Sequence, residues 1–350
     1  MQIERPDLSH IDPSIKAYIE ALEAELARLQ RRNQRENPPT ESLEPELPLE
    51  PGEPPTTLNV ITITASGIAK RTPRHLYMRQ RRGGMGVFDL EAPGDESPAV
   101  LTIADENQSL ILFTNLARAF RVLVRSLPES PLRARGQQIM GRTPFASGEY
   151  LVAALPDQAR GNVAMVSQRG MVRLLRHHVF GEYMKPGTAL FDAKQFGPLA
   201  AACWTPGDGD LFVATRFGHA IRFSEKLVGP QGGPGIRLEE GDQAVAIAGV
   251  YQESSVFMLG ADGRGTIRSM EGFNPNKSTG GGGKIAMNTD SLIAAFTIEE
   301  NDDIFAISRL SKMIRFMAAE VPVKEVVVQG VNCMALRADL VVAATSGHMQ

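Results

Sequence analysis

"LILFTNLARAFR", residues 110–121, reads as an apolar strand, a four-residue turn at Thr114-Asn115-Leu116-Ala117, and a second strand that carries Arg118 and Arg121. Leu, Ile, Phe and Thr suit a pleated, buried surface, and the small polar pair Thr114-Asn115 suits a tight turn. The stretch predicts a hairpin. What decides the fold is that the hairpin recurs, as "ITITASGIAKR" (61–71), "VAMVSQRGMVR" (163–173), "LFVATRFGHAIR" (211–222), "VFMLGADGRGTIR" (256–268) and "IFAISRLSKMIR" (304–315). The small residues closing the first strands, Thr64, Thr114, Ser167, Thr215, Gly260 and Ser308, lie 50, 53, 48, 45 and 48 residues apart. A glycine follows three positions later in four copies. Ala117 replaces it in the second copy and Leu310-Ser311 in the sixth.

Further along most repeats a second glycine signal, Gly86, Gly136, Gly187, Gly235 or Gly283, precedes another apolar run. Each unit therefore holds material for four strands, and radial repetition of such units protects sheet edges. The expected fold class is all-β, a six-bladed propeller-like β-pinwheel with an N-terminal helix and a Pro-rich linker. The Trp-Asp dipeptide of WD40 blades is absent, and a single tryptophan, Trp204, argues against kelch repeats. The closing "DLVVAATSGHMQ" (339–350) stands where "AVAIAGVYQ" (244–252) stands in the fourth repeat, so the sixth unit is expected to be complete.

Upstream of the ring, Asp12-Pro13 forms a helix-start signal, and Ile15, Tyr18, Ile19, Leu22, Leu26 and Leu29 recur at helical spacing. The seam is about two heptads long, which leaves open whether the helix packs on its own domain or pairs in a homodimer. "ENPPTESLEPELPLEPGEPP" (36–55) carries six glutamates, frequent proline and no basic residue. Such a composition buries no core. The expected organisation is 1–35 helix, 36–57 acidic Pro-rich linker, and 58–350 propeller. The linker is either a solvated spacer or a competitor for the cations of the ring.

Of 37 basic and 40 acidic residues, the first 55 positions hold 6 and 12, which leaves the ring mildly basic at 31 against 28. An anionic partner must then be held by where the charge is placed. No stretch has the roughly 18 apolar residues of a membrane span, and the N-terminus lacks a secretory core. Cys203 and Cys333 show no ligand spacing. A reducing cytoplasm fits this usage, with no metal and no cofactor expected.

The repeats share positive charge in one place: Lys70 and Arg71, Arg118 and Arg121, Arg173, Arg222, Arg264 and Arg268, Lys312 and Arg315. Cations there can simply keep exposed strands from pairing. The preference for arginine, whose planar fork suits phosphate oxygens, points instead to phosphate binding around a circle.

The first two repeats add longer motifs: "KRTP" at Lys70–Pro73, Tyr77-x-x-Gln80-x-Arg82-Gly83-Gly84-x-Gly86, "LFTN" with Arg118 and Arg121, and "ARGQQI" at 134–139. In these the chain resembles the C-terminal domain of the DNA gyrase A protein and of its topoisomerase IV counterpart. The resemblance implies a ring that binds and bends duplex DNA on its basic perimeter, in the bacterial nucleoid. The heptapeptide box of that family stands here at Gln80–Gly86, preceded by Arg79, with Arg81 and Arg82 matching and Met85 where the family has lysine or arginine. By the resemblance this turn also links the first blade to the last. DNA-binding candidates are thus Lys70, Arg71, Arg79, Gln80, Arg81, Arg82, Gly83, Gly84, Gly86, Arg118, Arg121, Arg133, Arg135, Arg173, Arg222, Arg268, Lys312 and Arg315.

The family's cleavage domain has no counterpart in the residues before Leu58, and none of the tyrosines Tyr18, Tyr77, Tyr150, Tyr183 and Tyr251 stands in a cleavage-site context. The expected role is non-catalytic DNA wrapping, alone or beside a type II topoisomerase, with a protein-docking propeller as the alternative. "STGGGGKIAM" (278–287) departs from GxxxxGK[ST], since Ile285 follows Lys284. His177-His178 has no carboxylate or histidine at ligand spacing.

Overall fold

The computed structural model describes residues 53–141 and 145–347, together with Lys16, Ile19, Glu20 and Glu23, which are helical. The chain divides into a unit Met1–Pro51 and a unit Gly52–Gln350. The rest of the expected helix, most of the linker, and any pairing through them lie outside the described residues.

The second unit is a ring of six sheets. Blade one consists of Leu58–Thr64, Ile68–Pro73 and Pro98–Asp105, and blade two of Ser109–Thr114, Arg118–Leu123 and Leu151–Pro156. Blade three holds Asn162–Ser167, Met171–Arg176 and Leu199–Thr205, and blade four Asp210–Thr215, His219–Ser224 and Ala244–Val250. Blade five holds Ser255–Gly260, Arg264–Ser269 and Leu292–Ile298, and blade six Asp303–Ser308, Lys312–Met317 and Val341–Gly347. The last strand of each triplet is innermost, and Val341–Gly347 packs beside Pro98–Asp105 to close the circle.

The fourth strand of each blade comes from the following repeat. Gln137–Gln138 pairs on blade one, Thr188–Ala189 on blade two, Gly233–Pro234 on blade three and Lys284–Ile285 on blade four. Val331–Asn332 pairs on blade five, and Val87–Phe88 of the first repeat pairs on blade six. Each hairpin ends in a 3-10 turn or equivalent bend from which the connector crosses to its neighbour. The first repeat thereby closes the ring onto the last.

Neighbouring blades cover both faces of every hairpin, which explains the near-continuous apolar runs of the repeats. Phe113 and Met165, on adjacent blades, are both fully buried in one cluster with Phe180 and Leu199. Each such side chain contributes about 1.5–3 kcal/mol by leaving water. Where the turn glycine is replaced, the backbone keeps its shape: Ala117 and Ser311 adopt φ of 55° and 63°. That left-handed conformation costs about 1–2 kcal/mol for a side-chain-bearing residue, which the buried surroundings of both offset. Gly86 is required more strictly, because a Cβ on it would lie 2.6 Å from the carbonyl oxygen of Met313. In blade three the equivalent glycine is Gly232, immediately before the outer strand, and not Gly235 as the sequence suggests. Among the described residues, no helix is long and apolar enough to cross a membrane.

Candidate nucleic-acid interface

The glycine turn of residues 80–86 lies across the seam between blades six and one. Gln80 donates its N–H to the carbonyl of Arg315 at 2.7 Å, and Gly83 donates to Cys333 O at 2.8 Å. The N–H of Ala335 in turn donates to Gly84 O at 2.9 Å. Inside the turn, the Gly86 N–H donates to Gln80 Oε1 at 3.3 Å. Arg82 donates through Nε to Glu320 O at 2.8 Å and through Nη1 to Asn332 O at 3.2 Å, so this exposed side chain clasps the connector to blade six. Arg79 pairs with Asp303 at 2.8 Å. Arg81 is exposed at the surface of the turn, as is Met85.

Behind the turn lies a buried polar cluster that sequence reasoning missed. Asp89 forms a fully buried ion pair with Lys70, accepts from the Tyr77 hydroxyl, and accepts from Thr62 Oγ1 at 2.7 Å. Lys70 also donates to Leu132 O. Burial lowers the pKa of Lys70, against the pull of Asp89. Burial, then the negative charge of Asp89, pushes the Tyr77 phenol well above its ordinary value. Asp89 also donates its N–H to Ser311 O at 2.8 Å, so one residue joins blades one and six.

The repeated arginines are placed differently from the expectation of a solvent-facing circle. Arg71, Arg121, Arg222 and Arg315 occupy one register, two residue pairs in from the tip of their hairpins. Each donates to main-chain carbonyls of the following repeat: Arg71 to Leu127 at 2.8 Å, Arg121 to Phe180 at 2.9 Å, and Arg222 to Met270 and Phe273 at 2.8 and 3.2 Å. Arg315 reaches around the ring to Arg74 and Tyr77 at 3.3 and 3.0 Å. Arg121, Arg222 and Arg315 also pair with Asp157, Asp210 and Asp303. The planar fork therefore meets carbonyl oxygens between blades. Lys70, Arg71, Arg222, Arg268 and Arg315 are buried. Arg173 and Arg268 stand one residue off the shared register and so leave it on the opposite sheet face. Arg173 is half-buried, and its Nε has no hydrogen-bond partner among the described residues.

Of the candidate cations, Arg81, Arg82, Arg133 and Arg135 are the exposed ones. Leu90 and Glu91 pair in parallel with Ala134 and Arg135, which carries Arg133 and Arg135 to the outer edge. Their side chains are 73% and 90% exposed and share the carboxylate of Glu91, at 3.3 and 3.6 Å. The Arg133 guanidinium also lies 5.2 Å from the centre of the Phe88 ring. Lys312, partly exposed, stands opposite Phe88 in the ladder. Arg118 is turned inward by Glu149 at 2.7 Å and by Gly187 O at 3.3 Å. A further contact comes from the end of the acidic linker: Glu53 bridges Arg74 and Arg315, the latter at 2.7 Å. Among the described residues no group of histidine, cysteine and carboxylate side chains could hold a metal, and Cys203 and Cys333 are free thiols.

A six-bladed ring that exchanges its outer strands and is locked by a glycine turn across its seam defines a β-pinwheel propeller. The family model described as "DNA gyrase C-terminal domain, beta-propeller" matches residues 58–96, 108–156 and 209–250. Over these segments the chain is similar to the DNA gyrase C-terminal propeller family, and its ring has that family's fold. It is 25% identical over 276 residues to the DNA gyrase A protein of Mycobacterium leprae (strain TN), covering 75% of this chain and 22% of that protein. To the DNA gyrase A protein of Chlamydia pneumoniae it is 28% identical over 296 residues, covering 79% and 35%. The chain thus spans about a third or less of these relatives, in their C-terminal part. Among solved structures, a DNA gyrase A C-terminal domain superposes with a TM-score of 0.72 at 18% identity, covering 83% of this chain and 99% of that one. The C-terminal domain of a DNA topoisomerase IV gives 0.59 at 18% identity, covering 83% and 93%.

Proposed function

We propose that this chain binds duplex DNA through its phosphate backbone, bends it along the perimeter beside the ring-closing seam, and does not itself cut it. The observation that carries this reading is the pair Arg133 and Arg135. Both forks are exposed on a strand pair anchored to the seam, beside Phe88 and its ladder partner Lys312, and the two share the carboxylate of Glu91. Side chains so placed contact phosphates without reading bases, so binding is sequence-tolerant and driven by counterion release. The buried arginines contribute by holding the blades at fixed angles, which keeps the cationic edges in one curve. A type II topoisomerase is the partner this reading calls for.

The test is fluorescence anisotropy of a duplex of about 40 base pairs over 50–200 mM salt. A bend of such a duplex costs several kcal/mol, so several contacts must act together. With six or more phosphates engaged, affinity falls about 10³-fold or more across that range. Binding with a slope near zero, or no binding, contradicts the reading.

A second reading, a protein-docking propeller, is favoured by one observation: Met78, Met85, Val87 and Phe88 are exposed at the same seam, at 53, 49, 38 and 39%. It requires that duplex binding be absent.

A further inference from the structure

The stretch "STGGGGK" (278–284) takes no part in the seam. It is blade four's counterpart of the closing turn: Gly283 precedes Lys284–Ile285 as Gly86 precedes Val87–Phe88, with the same φ of 71°. Three cations stand around it. Lys284 Nζ lies 4.1 Å from the centre of the Phe273 ring, and Arg268 Cζ lies 5.7 Å from the same centre. The Arg237 guanidinium is 3.5 Å from where a Cβ on Gly282 would sit. Arg222, also nearby, is committed to Asp210 and the carbonyls of Met270 and Phe273.

This cluster is short of negative charge. Arg268 is 5% exposed, and its Nε and Nη1 have no hydrogen-bond partner among the described residues. Buried donors left unmet carry their full desolvation cost, and such groups call for an ion or solvent partner. The carboxylate whose field reaches Arg268 is that of Glu325, exposed on the neighbouring connector. Lys284 is held below the ordinary lysine range, first by burial and then by the charges of Arg268 and Arg222.

We propose that the glycine turn Gly280–Gly283, with Lys284, Arg268 and Arg237, is a phosphate-binding site. Two guanidinium forks and an ammonium offer more donors than the two oxygens of a carboxylate accept, whereas a phosphate accepts on three or four sides. Four successive glycines let an anion approach the main chain closely. The phosphate comes either from a DNA backbone, which rests on the function proposed above, or from free phosphate in solution.

The experiment uses the full chain and two substitutions. Lys284→Gln removes an exposed cation. Gly282→Asp places a carboxylate where the structure leaves room, since Gly282 has ordinary φ and its nearest neighbour is the flexible end of Arg237. In the first arm, inorganic phosphate is compared with chloride at equal ionic strength by thermal unfolding. In the second, the salt slope of duplex binding is compared between variants. A phosphate-specific rise in unfolding temperature that both substitutions abolish assigns a free-phosphate site. A duplex salt slope that Lys284→Gln makes shallower by about one, without that rise, assigns a backbone phosphate. The absence of both effects overturns the proposal, even when the chain binds duplex through the seam. The rise in a chain that binds no duplex overturns the DNA reading and leaves this site standing.

Discussion

Arg315 on blade six donates through Nη1 to the carbonyl oxygen of Tyr77, at the end of the first hairpin's turn, at 3.0 Å. Arg222 and Arg121 make the same bond to Phe273 and Phe180, and Arg71 reaches Leu127 through Nε, each one repeat onward. Arginine recurs because one fork can hold a carboxylate of its own blade region and carbonyls of the next. The four arginines of the shared register are thus spent on the fold.

Arg222→Ala leaves Asp210 and two carbonyls without their donor, and breaking a buried pair in this way costs about 3–5 kcal/mol. Urea unfolding is expected to show that loss. Arg222→Lys should recover less than half of it, because an ammonium lacks the fork. Full rescue by lysine contradicts the interlock.

Arg133→Ala with Arg135→Ala should leave stability within about 0.5 kcal/mol, since both side chains are mostly exposed. The salt slope of duplex binding should become shallower by about two. An unchanged slope removes this edge from the DNA contact.

Met85→Lys adds a cation at an exposed position between Gly84 and Gly86. The expected outcome in the same titration is tighter binding at low salt and a slope steeper by about one, with unfolding unchanged. Weaker binding would mean that the methionine itself touches the partner.

Burial alone would raise the carboxyl pKa of Glu53, but its bonds to Arg74 and Arg315 prevail and hold it below the ordinary 4.5. The unfolded chain therefore takes up this proton first as pH falls. The stability that Glu53 contributes is complete above about 4.5 and is lost as pH drops through the folded value. In Glu53→Gln, pH titration of stability should flatten in that acid range. An unaltered profile places the acid sensitivity elsewhere.

The hairpins were legible because blades packed on both faces demand unbroken apolar runs, such as Leu110–Phe113 and Leu211–Ala214. The exchange of outer strands was not, because a two-residue strand such as Val87–Phe88 has no period to read. The number of repeats was visible, while the role of their arginines was not. The acceptors of Arg222 are main-chain oxygens about fifty residues away, at separations of 48 and 51, and a main-chain oxygen leaves no mark in a sequence. Glu53 was legible only in part: six glutamates among prolines fit a spacer or a competitor for ring cations, and the composition does not say which one is drawn into the seam. Arg133 and Arg135 were named from motif similarity and Lys284 was passed over, since only the folded ring shows which cations face outward.

The most direct measurement is the linking number of a relaxed circular plasmid, closed by a nicking-closing enzyme in the presence of the full chain. Wrapping of the duplex around the ring is expected to leave a linking-number change that grows with protein and disappears in the Arg81, Arg133 and Arg135 alanine variant, while Arg222→Lys retains part of it. Plasmid that binds the protein yet keeps its linking number contradicts wrapping, and plasmid that fails to bind contradicts the DNA-binding account altogether.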